Sequence, residues 1–93
     1  MITIHAEYHS HFKEIAGRPG DTFQLERPLV SELATLLTEK YGERMSNLLL
    51  DPTGKKLNAN GTMYMGSGGR RIDIDDILED GETIAFLVGI AGG

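Results

Sequence analysis

The sequence predicts one α+β domain, and three observations lead to that prediction. Segments with strand-like alternation lie near both ends of the 93-residue chain, a segment with helical spacing lies between them, and no internal repeat interrupts this order. We expect the order strand, strand, helix, strand, strand, short turn, strand. These elements form a mixed sheet of four to five strands with one main helix packed on one face. If the first and last strands are neighbours at the centre of the sheet, they run parallel.

The first two strands are predicted near the start of the chain. Apolar residues at even positions from Ile2 to Tyr8 alternate with polar ones, which is the period of a half-buried strand. Alternation returns over residues 22–26, after a turn marked by Gly17 and Gly20. We therefore expect a hairpin whose connection is long and loose.

The main helix is predicted from Val30 onward, where the apolar period changes. Apolar side chains at helical spacing continue to Tyr41, with polar residues on the opposite side. Pro28 lies just ahead, where a missing N–H costs least, and Gly42 lies where helices commonly end in a left-handed residue.

The second half of the chain predicts shorter elements. The apolar run at residues 48–50 predicts a third, short strand, and the alternation at residues 62–66 predicts a fourth, followed by a flexible glycine-rich loop. An acidic stretch predicts a single helical turn capped by Asp75 or Asp76. Residues 83–88 form the most strand-like segment of the chain.

Composition narrows the possible functions. The chain has no cysteine, so it cannot form a disulfide, bind zinc through thiolates or carry sulfur for transfer on a side-chain thiol. The formal net charge is −5, and the chain has no stretch dense in Lys and Arg beyond the pairs Lys55-Lys56 and Arg70-Arg71, which argues against nucleic-acid binding. No apolar run approaches membrane length and no leader-like segment follows Met1. We expect a cytoplasmic protein with no membrane partner.

The sequence ends with Gly92-Gly93, directly after the last predicted strand. We expect a globular domain over residues 1–88 and a flexible tail over residues 89–93, which reaches roughly 17 Å when extended. Glycine has no Cβ, so such a tail can enter a narrow channel with nothing beside its carboxylate. This suits a terminus presented to the active site of another protein. The alternative is an ordinary frayed end.

Four features together carry a family resemblance. They are the helix from Val30-Ser31-Glu32-Leu33 to Lys40-Tyr41-Gly42, the turn Asp80-Gly81-Glu82, the strand Thr83-Ile84-Ala85-Phe86-Leu87-Val88 and the tail Ala91-Gly92-Gly93. In this order they resemble the ubiquitin-like β-grasp fold and, more closely, the MoaD/ThiS family of sulfur carrier proteins. The matching segments span most of the domain.

The resemblance implies a function for the tail. A ubiquitin-activating-type adenylyltransferase using Mg-ATP would adenylate the Gly93 carboxylate, while Gly89, Ile90, Ala91 and Gly92 serve in tail recognition. A persulfide or sulfide donor would then leave a thiocarboxylate for a sulfur-acceptor enzyme such as a molybdopterin synthase large subunit. The chain itself would bind no cofactor and would have no intrinsic catalytic residue.

Two other functions remain open at this stage. The same adenylate captured by a lysine amine would make the chain a protein modifier joined through an isopeptide bond. A noncovalent interaction module with an incidental tail is the third possibility. All three need a docking surface, and alternation in the last strand predicts that Ala85 and Leu87 face outward while Ile84, Phe86 and Val88 face the core. The alternative is that Leu87 has no docking role, either because another part of the domain covers it or because it is a single apolar residue on the surface.

Other residue groups suggest weaker sites. His5, His9 and His11 would share one face if the first strand extended that far, although a closed zinc site needs four ligands, and we predict no metal site. Gly66-Ser67-Gly68-Gly69-Arg70-Arg71 could hold a phosphate, but it lacks the ending of a P-loop, which favours a mobile hairpin loop. The acidic residues from Asp73 to Glu82 lack EF-hand spacing and favour a solvated face.

Overall fold

A computed structural model describes residues 1–89. These residues form four strands, three α-helices and one short 3₁₀ turn. Their order is β1 (Ile2–Tyr8), α1 (Ser10–Ala16), β2 (Gly20–Leu25), α2 (Val30–Tyr41), α3 (Glu43–Leu49), β3 (Thr62–Met65), the 3₁₀ turn (Ser67–Gly69) and β4 (Thr83–Val88). Within residues 1–89, no helix is both long and apolar enough to span a bilayer.

The strands form one mixed sheet in the order β2-β1-β4-β3. β1 pairs antiparallel with β2, from Ile2 opposite Leu25 to Glu7 opposite Gly20. β1 and β4 are neighbours at the centre and run parallel, with Tyr8 opposite Phe86. β3 pairs antiparallel with β4 at the outer edge. The predicted α+β class, mixed sheet and parallel central pair are confirmed.

The helices cover one face of this sheet and close the hydrophobic core. At its centre Phe12 of α1 packs against Tyr64 and Phe86, with ring centroids 6.0 and 5.6 Å apart and steeply inclined planes. Tyr8 contacts Phe86 from the neighbouring strand, at 5.8 Å between centroids. Edge-to-face pairs of this kind add stability beyond the area that they bury. α2 contributes Val30, Leu33, Ala34 and Leu37 to the same core.

The connection between β1 and β2 is a helix, so the prediction of a loose loop is wrong. α1 has seven residues, of which Phe12 is fully buried and Ile15 and Ala16 pack against the core. A helix of two turns is marginal alone and depends on tertiary packing. The sequence offers only one turn of apolar spacing here, which is too short a pattern to reveal the helix.

The predicted third strand at residues 48–50 is also wrong, because most of this run belongs to α3. Gly42 takes a positive φ of 80°, which lets the chain turn between α2 and α3. Met45 and Leu49, one helical turn apart, are both buried. Leu50 ends the helix and forms one isolated bridge, to Leu57. A short apolar run cannot by itself distinguish a buried strand from a buried helix.

The acidic stretch forms a β-turn where a helical turn is predicted. The Asp76 N–H donates to the Asp73 carbonyl at 3.0 Å, and the Asp73 N–H donates to the Asp76 carboxylate at 2.8 Å. Both bonds close one four-residue turn. The side-chain bond offers the backbone a local alternative to a helix, as aspartate often does.

The buried carboxylate of Asp21, on β2, joins α2 to β1 and β2. Asp21 accepts hydrogen bonds from the hydroxyls of Tyr8, at 2.9 Å, and Tyr41, and from the Lys40 ammonium at 2.9 Å. Burial raises the pKa of Asp21, but these hydrogen bonds outweigh it and keep the pKa below its usual value of 3.8. Burial and the bond to Asp21 raise the pKa of Tyr8. The cluster holds an ionised group between helix and sheet.

Candidate functional site

The end of β4 is where the predicted tail begins. β4 lies at the centre of the sheet, and its last residue, Val88, is half-buried and packs against the core. The next residue, Gly89, is exposed and donates its N–H to the Gly61 carbonyl at 2.7 Å. The other predicted tail residues lie outside the described residues: Ile90, Ala91, Gly92 and Gly93.

The sheet face opposite the helices, here called the open face, carries the predicted docking residues. Ile84 and Phe86 of β4 are buried beneath the helices. Ala85 and Leu87 alternate with them and are half-buried on the open face. Their position is therefore suited to a partner, and their docking role stays a prediction.

Two methionines of β3 extend this apolar surface. In the β3–β4 register, Met63 lies opposite Leu87 and Met65 lies opposite Ala85. Directly paired residues share a face, and their Cβ atoms lie about 4.5–5.5 Å apart. Met63, Met65, Ala85 and Leu87 thus form one block, which we call the open-face patch. The alternation of β3 is visible in the sequence, but the register that joins it to β4 is not.

Polar residues border the open-face patch on the β1 side. Glu7 lies opposite Ala85, and its Oε1 is 2.7 Å from the His9 Nε2. Both side chains are about half exposed. On the other side, Arg71 is exposed, and its backbone forms an isolated β-bridge with Met65. An apolar centre with a polar border is the usual organisation of a protein interface.

The three histidines are not brought together. β1 ends at Tyr8, so His11 lies on α1 and not on an extended strand. His5 Nδ1 is 3.1 Å from the Thr22 hydroxyl, whereas His9 contacts Glu7. In residues 1–89, no three histidine or carboxylate side chains lie close enough to hold a metal ion.

The glycine-rich loop after β3 is anchored by a buried carboxylate. It forms a short 3₁₀ turn, Ser67–Gly69, whose Ser67 N–H donates to Glu82 Oε2 at 2.9 Å. Arg70 donates to the same carboxylate at 2.9 Å. A Cβ on Gly66 would lie 2.5 Å from Glu82 Oε2, so this approach requires glycine. The Ser67 N–H and the Arg70 guanidinium, two groups of the kind that would bind a phosphate, are thus already paired with Glu82.

Comparison with known proteins gives structural neighbours only. No protein-family model and no curated protein sequence matches the chain. SAMP1 from Haloferax volcanii superposes with a TM-score of 0.82 at 13% identity, over 98% of this chain and 99% of that chain. A Pyrococcus furiosus protein assigned as molybdopterin converting factor, subunit 1, gives 0.76 at 16% identity, over 97% and 100%. Urm1 from Trypanosoma brucei gives 0.71 at 24% identity, over 98% and 95%. The predicted β-grasp fold is confirmed, and the resemblance holds at the level of the fold.

Proposed function

We propose that this chain is a sulfur carrier that works through the carboxylate of Gly93. A ubiquitin-activating-type enzyme joins AMP from Mg-ATP to this carboxylate and releases pyrophosphate. Sulfide then attacks the carbonyl carbon and displaces AMP, which leaves a thiocarboxylate; a persulfide donor needs a second thiol to release the same product. The thiocarboxylate passes its sulfur to an acceptor enzyme.

The observation that carries this proposal is the position of the open-face patch beside the end of β4. Leu87 precedes the last residue of the strand, and Met63 lies opposite Leu87. An enzyme that covers the patch therefore lies close to the point where the chain leaves the sheet at Gly89. The next four residues span at most about 14 Å when extended, which limits the depth of the active site that they can enter.

The division of labour follows from carboxylate chemistry. A carboxylate is a poor electrophile because its charge is spread over two oxygens, and adenylation supplies AMP as a leaving group. The activating enzyme supplies ATP, magnesium and catalysis, and the chain supplies the acyl group and the docking face. Gly92 and Gly93 carry no Cβ, so neither crowds the reacting carbon.

The structural neighbours support two versions of this activity. The Pyrococcus furiosus neighbour is assigned as a molybdopterin converting factor subunit, which favours a molybdopterin precursor as the first acceptor to test. SAMP1 is described as a small archaeal modifier protein, which favours a second candidate function. In that function a lysine amine of another protein attacks the activated Gly93 carbonyl and forms an isopeptide bond. A noncovalent β-grasp interaction module needs no activation at all.

Intact mass measurement of the protein isolated from its own host distinguishes these functions. A carrier shows a fraction heavier by the difference between one sulfur and one oxygen atom. A modifier shows conjugates heavier by the mass of a whole target protein. If both species are absent under conditions where the activating enzyme is present, the noncovalent module is favoured.

Removing Gly92-Gly93 tests the role of the tail. We expect unchanged thermal unfolding, because every buried core side chain described lies between Ile4 and Phe86, and complete loss of ATP–pyrophosphate exchange with the activating enzyme. Gly93→Val is the matched variant that keeps the length. Its β-branched side chain should reduce the exchange rate on the order of a hundredfold by displacing the reacting carbon. Undiminished exchange by the shortened chain would rule out the proposal.

A further inference from the structure

Met63 is the most open residue of the open-face patch and the one most accessible to a small oxidant. It is 38% exposed on β3, whereas Met45 in the core is 0% exposed. Met65 is half-buried, and its methyl group would lie 3.9 Å from a Cβ on Gly69, so the 3₁₀ turn shelters it. The patch thus presents one unprotected thioether opposite Leu87.

We propose that Met63 is an oxidation-sensitive modification site that controls docking to the activating enzyme, an inference that rests on the proposed function. The oxidant is a peroxide such as hydrogen peroxide. A sulfur lone pair attacks one peroxide oxygen, the O–O bond breaks, and methionine sulfoxide and water form. Sulfur loses two electrons and the peroxide gains them. The product is reduced again by methionine sulfoxide reductase.

The position of Met63 makes this change consequential. Oxidation converts a flexible apolar side chain into a polar one without breaking any contact of the core. The sulfoxide oxygen lies beside Leu87 and Ala85, which carry no side-chain hydrogen-bond donor. A partner that packs an apolar surface on Leu87 and Met63 must therefore desolvate this oxygen with no donor from either residue to compensate. We expect the Kd for the activating enzyme to rise on the order of tenfold.

The remaining methionines provide internal controls. Met1 is 81% exposed and precedes β1, whose His5 pairs with Thr83 at the start of β4, so it lies toward the opposite end of the strands from Leu87 and should oxidise without affecting docking. Met45 should stay reduced until the chain unfolds. Peptide mass mapping after a brief peroxide treatment should therefore give sulfoxide in the order Met1, Met63, Met65, Met45.

The experiment treats the full chain with peroxide, removes the excess with catalase and then adds the activating enzyme. We measure binding and ATP–pyrophosphate exchange, as the ratio of treated to untreated protein, for the parent and for Met63→Leu. The parent should lose on the order of tenfold in affinity and regain it with methionine sulfoxide reductase, and Met63→Leu should lose none. Species oxidised at Met1 alone should bind as the untreated parent does.

Three results would overturn the inference. They are unchanged binding by protein shown to carry Met63 sulfoxide, equal sensitivity of Met63→Leu, and earlier oxidation of Met65 than of Met63. Each of these leaves the proposed function standing, because the untreated parent still supports exchange. An untreated parent that supports no exchange with its activating enzyme overturns the proposed function, and this inference with it.

Discussion

The helix-covered face and the open face are built from alternate residues of the same strands, yet different side chains fill them. The covered face holds an aromatic cluster in which Phe12, Tyr64 and Phe86 contact one another. The open face has two methionines, an alanine and a leucine at its apolar centre. Rings packed at fixed angles specify one structure, whereas flexible thioethers adapt to a partner surface. Stability and docking should therefore separate at neighbouring residues of β4.

The largest expected effect comes from the covered face. Phe86→Ala removes the ring that contacts Tyr8, Phe12 and Tyr64, and we expect a loss of about 3–5 kcal/mol in the free energy of unfolding, measured by urea denaturation. The matched variant Leu87→Ala, one residue along the strand, should cost under about 1 kcal/mol. Similar losses for both variants would show that the two faces are not energetically distinct.

The next effect belongs to the open face. Leu87→Glu places a carboxylate in the centre of the open-face patch, and we expect affinity for the activating enzyme to fall at least tenfold, which corresponds to about 1.4 kcal/mol. Thermal unfolding should change little, since Leu87 is half-exposed in the isolated chain. Isothermal titration calorimetry measures the binding.

Gln24→Glu is the control for Leu87→Glu. Gln24 lies on the open face of β2, the strand at the opposite edge from β3, and is exposed. It receives the same carboxylate but should leave binding unchanged. If the two variants weaken binding equally, overall charge and not the open-face patch governs the interaction. If Leu87→Glu unfolds the isolated chain, Leu87 contributes to the core.

The part of the fold that the sequence predicts is the part with a regular apolar period. Such a period marks β1, β2, β3, β4 and α2, and the parallel pairing of β1 with β4 follows from the expected topology. α1 and α3 have seven residues each, so neither completes enough turns to show a helical pattern. Both depend on contacts with distant residues, which no local pattern records.

The candidate site also contains residues that the sequence could place and residues that it could not. Ala85 and Leu87 could be placed on the open face from alternation within β4 alone. Adding Met63 and Met65 to the patch requires the β3–β4 register, which joins residues far apart in the sequence. The hydrogen bond that anchors the glycine-rich loop likewise joins Ser67 to Glu82, 15 residues apart. The local sequence of the loop does not indicate this constraint.

Glu82 gives the smallest effect and sharpens the comparison, because it stabilises the fold next to the open face without belonging to the patch. Its carboxylate accepts the N–H groups of Ser67 and Glu79 and the Arg70 guanidinium, at 2.9–3.0 Å. Burial raises the pKa of Glu82, but the two N–H groups and Arg70 outweigh it and keep the pKa below its usual value of 4.5. The folded-state pKa is therefore lower than the unfolded-state pKa.

That order fixes the direction of the pH dependence. The stabilisation from ionised Glu82 is present above the unfolded-state pKa and is lost as the pH falls through the folded-state pKa. Glu82→Gln should cost about 1 kcal/mol at neutral pH. It should also flatten the acid side of the stability profile, leaving the slope due to Asp21 and Asp51, whose pKa values are also lowered. Urea denaturation of parent and variant between neutral pH and pH ~3 measures both effects.

Binding to the activating enzyme at neutral pH should be the same for both proteins. Parallel pH profiles for the two would show that Glu82 does not carry the acid dependence, and weaker binding by the variant would place the loop within the docking surface.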